Sequence, residues 1–212
     1  MTDSPEPQPA ADSRCETCRR PSTICVCDRI VVMPCKTPVL ILQHPQEPDV
    51  SLGTAQLLAA SLPSVRVRVG LSWPNLGAAL GEAAPGRWGV LWRASLPDGV
   101  DEALLKLPYA HIDHHGNPVS HKLDGLIALD GTWSQAKTLW WRNPWLLRLD
   151  RVLLVPAEAG IYGRVRKEPN RHSVSTLEAV ADGLVANGEP AQTRATLRAL
   201  MRTMVQRARD RA

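Results

Sequence analysis

The chain has 212 residues, 44% hydrophobic and 22% charged, enough for one globular core with a small appendage. Its 25 Lys and Arg against 21 Asp and Glu leave a formal charge of +4, which suits an anionic partner without establishing one. It has no apolar run of about 18 residues, and its Pro- and acid-rich start lacks the basic flank and apolar centre of a signal peptide, so no membrane span and a cytoplasmic location are expected.

In chain order, residues 1–13 read as a disordered tail rich in Pro, Glu, Asp and Ser. Residues 14–35 form a cysteine-dense segment, and residues 36–212 an α/β domain. Val39-Leu40-Ile41-Leu42-Gln43 reads as a short buried strand, Gly53 to Leu62 as a helix with Leu57, Leu58 and Leu62 on one side. Val65-Arg66-Val67-Arg68-Val69 alternates with the period of a strand. Trp88 to Trp92 is a further apolar strand, and Val100 to Leu105 a short helix. The polar, His-rich stretch from Tyr109 to Lys122, with His111, His114, His115 and His121, reads as a loop. Leu123 to Leu129 is a strand, Trp133 to Trp141 a helix ended by Asn143-Pro144, and Val152 to Val155 a strand. Helices from Ser175 to Val185 and Thr193 to Arg209 complete the chain, the first with a capping-box pattern at Ser175 or Thr176 and Glu178, the second basic. Alternating strands and helices imply a mostly parallel sheet covered on both faces.

Cys15-x2-Cys18-x6-Cys25-x-Cys27 offers four soft ligands in a chain expected to keep its thiols reduced. Four cysteines suit a structural zinc, because they leave no open position for catalysis. Cys35 is left over as an ordinary thiol.

The most informative stretch is Leu129-Asp130-Gly131-Thr132-Trp133. A strand stops on a carboxylate and a helix begins three residues later. In open α/β sheets ligands bind at the carboxyl ends of strands, where helix N-termini present unpaired N–H groups. Gln43-His44-Pro45-Gln46-Glu47 places further polar groups at another strand end. The basic run Tyr162-Gly163-Arg164-Val165-Arg166-Lys167-Glu168-Pro169-Asn170-Arg171 suits phosphates or a carboxylate. Ser175 and Thr176 at a helix start suit either a cap or an anion. Trp140, Trp141 and Trp145 are candidates for stacking on bases, with at least one expected in the core.

Taken in order, these motifs resemble the DTW-domain family: the four cysteines, then Gln43-His44-Pro45-x-Glu47, Asp130-x-Thr132-Trp133, the Tyr162 to Pro169 run, and Ser175-Thr176-Leu177-Glu178-Ala179. The resemblance runs from about Cys15 to about Leu184. It departs after the third strand, where Leu91-Trp92-Arg93-Ala94 stands in place of the family's usual aromatic-Pro-Ser.

The resemblance implies a tRNA-uridine aminocarboxypropyltransferase. Such an enzyme moves the 3-amino-3-carboxypropyl group of S-adenosylmethionine to N3 of a uridine in tRNA and releases 5′-methylthioadenosine. It also implies a SPOUT-like fold with a C-terminal knot, a structural Zn2+ on Cys15, Cys18, Cys25 and Cys27, and tRNA as partner of a monomer. Asp130 is then the candidate general base. Asp130, Gly131, Thr132, Trp133, Ser175 and Thr176 are expected to bind the cofactor, and Lys137, Arg164, Arg166, Lys167 and Arg171 the RNA. The alternatives are a SPOUT-like S-adenosylmethionine-dependent RNA methyltransferase and a non-catalytic zinc-knuckle RNA-binding protein.

Overall fold

The structure is a computed structural model, and it describes residues 14–92, 102–155, 159–163 and 174–211. Six strands form one sheet in the order β2-β1-β5-β3-β6-β4. They are β1 (Val39–Gln43), β2 (Val65–Val69), β3 (Trp88–Trp92), β4 (Tyr109–Ile112), β5 (Gly125–Asp130) and β6 (Asp150–Leu154). All pairings are parallel except β4 with β6. The helices are α1 (Ala55–Ser61), α2 (Leu76–Leu80), α3 (Trp133–Arg142), α4 (Thr176–Ala186) and α5 (Ala191–Arg209).

Side-chain alternation sends each central strand into two cores at once. Val39 and Ile41 of β1, with Leu126 and Ala128 of β5, pack among residues of α1, α4 and α5. Leu40 and Leu42, with Ile127 and Val90, pack on the other face among Ala79, Leu80, Trp140 and Leu146. The sheet is therefore the middle of three layers, which is why these strands read as unbroken apolar runs.

Three elements differ from the sequence expectation. The His-rich stretch expected as a loop begins with the edge strand β4, antiparallel to β6 with His111 opposite Val152. Its Tyr-Ala-His-Ile pattern is too short and polar to announce a strand, and pairing with β6 supplies what local propensity does not. The short helix α2 has weak helical periodicity of its own. Asn75 caps it by accepting from Ala78 N, and Gly81 ends it at a left-handed φ of 82°. The expected helix near Val100 to Leu105 is a 3-10 turn over Glu102–Lys106. The tail over residues 1–13 lies outside the described residues.

The cysteine-dense segment packs into the first core rather than standing apart. Cys18, Ile24 and Val26 are buried, and Cys18 and Val26 pack in the same cluster as α1, α4 and α5. Among the described residues no helix is long and apolar enough to cross a membrane.

Candidate functional site

β1 and β5 lie side by side, in register Gln43 opposite Asp130. The chain leaves β1 toward α1 on one face and leaves β5 toward α3 on the other. Adjacent strands whose exits diverge open a crevice at their carboxyl ends, the usual place for a ligand in such sheets. Asp130 and Gln43 stand at its base, 5% and 2% exposed.

Both carboxylate oxygens of Asp130 are engaged. Gln43 Nε2 donates to Oδ2 at 2.7 Å, and Thr176 Oγ1 donates to Oδ1. Among the described residues these partners are neutral. Each oxygen keeps a second lone pair, so the carboxylate retains capacity to accept a proton or another hydrogen bond. Gln43 Oε1 is buried beside it with no hydrogen-bond partner among the described residues. A buried acceptor left open in this way costs stability unless something with an N–H or O–H meets it.

Two helix N-termini converge here. Thr132 caps α3 in a full capping box with Gln135, whose Oε1 accepts from Thr132 N at 2.6 Å. Gln135 Nε2 donates to Gln46 Oε1 at 3.0 Å, tying α3 to the loop after β1. Trp133, the first residue of α3, is 40% exposed. Gly131 is closely framed, since a Cβ on it would meet Gln135 Cβ at 2.8 Å. Ser175 caps α4 in a second capping box: its Oγ accepts from Glu178 N at 3.1 Å and donates to Glu178 Oε2. Ser175 is buried and occupied by this cap, whereas Thr176 reaches Asp130. Leu177 N donates to Thr54 Oγ1, joining α4 to the start of α1.

Sequence reasoning set out Gln43 and Glu47 as strand-end residues but gave neither a role. The structure places Gln43 on Asp130 and buries Glu47 at 4% exposure. The available signal was position: Gln43 closes an unbroken apolar strand, and Glu47 lies in the turn that follows it. Lys137 is exposed on α3. Arg164, Arg166, Lys167 and Arg171 lie outside the described residues. Next to them, Tyr162 is buried and its hydroxyl donates to Leu52 O, so the chain after β6 rests on the loop after β1. A cavity of about 380 Å³ between that segment and α5 is lined by Arg198, Arg202 and Arg209.

The second site is the four-cysteine knuckle. The sulfurs of Cys15, Cys18, Cys25 and Cys27 lie within 4.8 Å of one another, with Cys15 to Cys27 at 3.4 Å and Cys18 to Cys25 at 3.7 Å. Tetrahedral zinc with bonds of about 2.3 Å sets sulfurs roughly 3.8 Å apart, so the donor set fits that ion. Arg19, at φ 58°, reverses the chain so that Arg19 N reaches Cys15 O and Cys15 N reaches Arg20 O. A hydrogen bond from the Cys18 backbone pulls the Cys15 thiol down to about 6. Burial and shared sulfur contacts push Cys27 well up, and burial raises Cys25. Crowded thiols resist ionising together, and a divalent cation reverses that.

Arginines fasten this knuckle to the domain. Arg20, 1% exposed, donates to Cys18 O, Gly53 O and Met204 Sδ. Arg207 of α5 donates to Cys25 O and pairs with Asp28 at 2.8 Å, which holds the Asp28 carboxyl below its usual range.

Comparison with known proteins gives a consistent result. The sequence model of a family described as DTW domain matches residues 12–209. The tRNA-uridine aminocarboxypropyltransferase 2 of Drosophila melanogaster is 29% identical over 196 residues, 89% of this chain and 72% of that protein. The protein of the same name from Mus musculus is 31% identical over 80% of this chain, which spans 55% of that relative's length. The tRNA-uridine aminocarboxypropyltransferase A of Arabidopsis thaliana is 30% identical over 79% of this chain and 69% of its own length. No solved structure matches the chain.

Proposed function

The chain belongs to the DTW-domain family, and on that premise we propose that it is a tRNA-uridine aminocarboxypropyltransferase. In this reading the 3-amino-3-carboxypropyl group of S-adenosylmethionine goes to N3 of a uridine in tRNA. The observation that carries the reading is convergence. Gln43, Asp130 and Thr176, from motifs far apart in sequence, meet at one carboxylate in the crevice between β1 and β5.

The residues present fit such a donor. Asp130 and the open Gln43 Oε1 form an acceptor pair suited to a cation or its N–H groups. The α3 and α4 N-termini offer N–H groups to a carboxylate. Gly131, Thr132 and Trp133 line the α3 side and Thr176 the α4 side. Ser175 acts through the cap that sets the start of α4. When bound, the donor supplies a sulfonium whose C–S bond to the aminocarboxypropyl carbon breaks to a neutral thioether.

Asp130 takes the proton from uridine N3 as the new C–N bond forms. Positioned proton transfer of this kind contributes about 10²–10⁴-fold. Gln43 and Thr176 fix the carboxylate's orientation, so that alignment rather than reactivity decides which carbon is attacked. Lys137 and the basic segment of Arg164, Arg166, Lys167 and Arg171 hold tRNA phosphates. Zn2+ on the four cysteines staples the knuckle, through Arg20, to α5 and the loop after β1. The finer fold assignment, a SPOUT-like domain with a C-terminal knot, rests on the resemblance. It is supported by the return of the chain from β6 to the loop after β1, where Tyr162 meets Leu52.

The test is mass spectrometry of nucleosides from tRNA incubated with purified protein and S-adenosylmethionine. The expected product is aminocarboxypropyluridine, with methylthioadenosine released. A methylated nucleoside, or tRNA binding without any product, would overturn the reading. The same preparation is expected to carry one zinc ion per chain by elemental analysis.

A further inference from the structure

We propose that the outward face of α3 is a stacking platform for unpaired RNA bases, built from Trp133, Lys137 and Trp141; this rests on the tRNA reading given above. Residues four apart on a helix lie one above another. These three therefore form one stripe, which starts at the capped turn after Asp130 and leads away from it. At 1.5 Å per residue the two indoles are about 12 Å apart along the axis, enough to seat bases of separate nucleotides.

Exposure separates this face from its neighbours. Trp141 is 73% exposed, Trp133 is 40% exposed, and Lys137 is exposed between them. Trp140, adjacent in sequence, points the other way. It packs 4.5 Å from the Trp92 ring centroid and has the Arg151 guanidinium over its face. Trp145 is also used internally, with Nε1 donating to Trp73 O at 2.9 Å. The interior is thus served by other tryptophans, while Trp141 is mostly exposed among the described residues.

Charge selects the occupant. No Asp or Glu lies between Asp130 and Asp150, while Lys137, Arg142 and Arg148 all lie there and are exposed. An acid-free basic helix with indoles at its surface is complementary to a polyanion carrying flat bases. Stacking of that kind tolerates any base, because each has a π-face. The fitting partner is a single-stranded stretch of RNA flanking the target nucleotide, laid along α3 with its phosphates toward the cations.

The test compares wild-type protein with Trp141→Ala, Trp141→Phe and Lys137→Ala, with circular dichroism as a folding control. Binding of tRNA and of a short oligouridylate is measured across a salt series, and transfer kinetics on tRNA are recorded. Trp141→Ala is expected to weaken both RNAs about tenfold. It should raise KM for tRNA with kcat little changed, and Trp141→Phe should recover most of the loss. Lys137→Ala should lower the salt slope by about one. If wild-type protein does not modify tRNA but Trp141→Ala still loses oligouridylate, the functional reading fails and the platform stands. Equal binding of oligouridylate by wild type and Trp141→Ala overturns the platform, whatever the enzyme activity.

Discussion

Asp130 and Asp150 make an instructive pair. Both are 5% exposed, and they sit at opposite ends of the same sheet. Asp150, at the start of β6, accepts from His121 Nε2 at 2.7 Å and lies 3.4 Å from Arg87 Nε. Asp130, at the end of β5, is held by an amide and a hydroxyl, both neutral among the described residues. Two buried carboxylates of equal exposure thus have different electrostatic standing. One meets basic side chains of its own protein, while the other is oriented by an amide and a hydroxyl among the described residues. Equal burial thus goes with different neighbours, and neighbours of opposite charge are what make a buried carboxylate part of an ion pair.

Replacing each carboxylate by its amide is the most direct way to break this comparison. Asp130→Asn is expected to lower single-turnover transfer at saturating donor by about 10²–10⁴-fold. Asp150→Asn should leave transfer almost unchanged but lower stability by about 1–3 kcal/mol, because Arg87 and His121 lose the charge of their acceptor. Wild-type transfer by the Asp130 variant would remove the base assignment.

Gln43→Leu sharpens the same contrast from the neighbour's side. It strips Asp130 of a donor and removes the open acceptor Oε1 together. A transition-state loss of about 1–3 kcal/mol follows, roughly five- to 150-fold in rate. Transfer kinetics indistinguishable from wild type would make Gln43 a strand-end residue without a role in the site.

The smallest effect belongs to the Asp150 end, and pH reads it. His111 packs beside His121 and Asp150, and burial pushes its pKa below the ordinary value near 6.5. The folded state therefore binds fewer protons than the unfolded chain just below that value, so stability rises with pH there. The contribution is complete above about pH 6.5 and is lost as pH falls through the lowered folded value. Urea unfolding between pH 5 and 7 should show this slope, and His111→Gln should flatten it. An unchanged slope in the variant would assign the dependence elsewhere.

Much of this was legible in the chain. The unbroken apolar runs of β1 and β5 announced buried parallel strands, because both faces of such strands meet helices. The end of β5 at Asp130 was legible in the switch from an apolar run to carboxylate, glycine and a capping threonine. The cysteine spacing foretold the gathering of four sulfurs, since a short tether keeps them close. Edge strand β4 was not legible, because its pairing comes from β6, which lies far along the chain.

By itself, then, the sequence determined the layered α/β class, a capped start to the helix near Ser175 and Thr176, and the cysteine cluster, since these depend on local periodicity and short spacing. Only the tertiary structure decided that Gln43, Asp130 and Thr176 share one carboxylate, that Trp140 is interior and Trp141 exposed, and that Arg20 joins knuckle to domain. Those facts depend on which strands become neighbours and which way each helix turns its faces. Such choices are made by packing between distant segments, where no local pattern can record them.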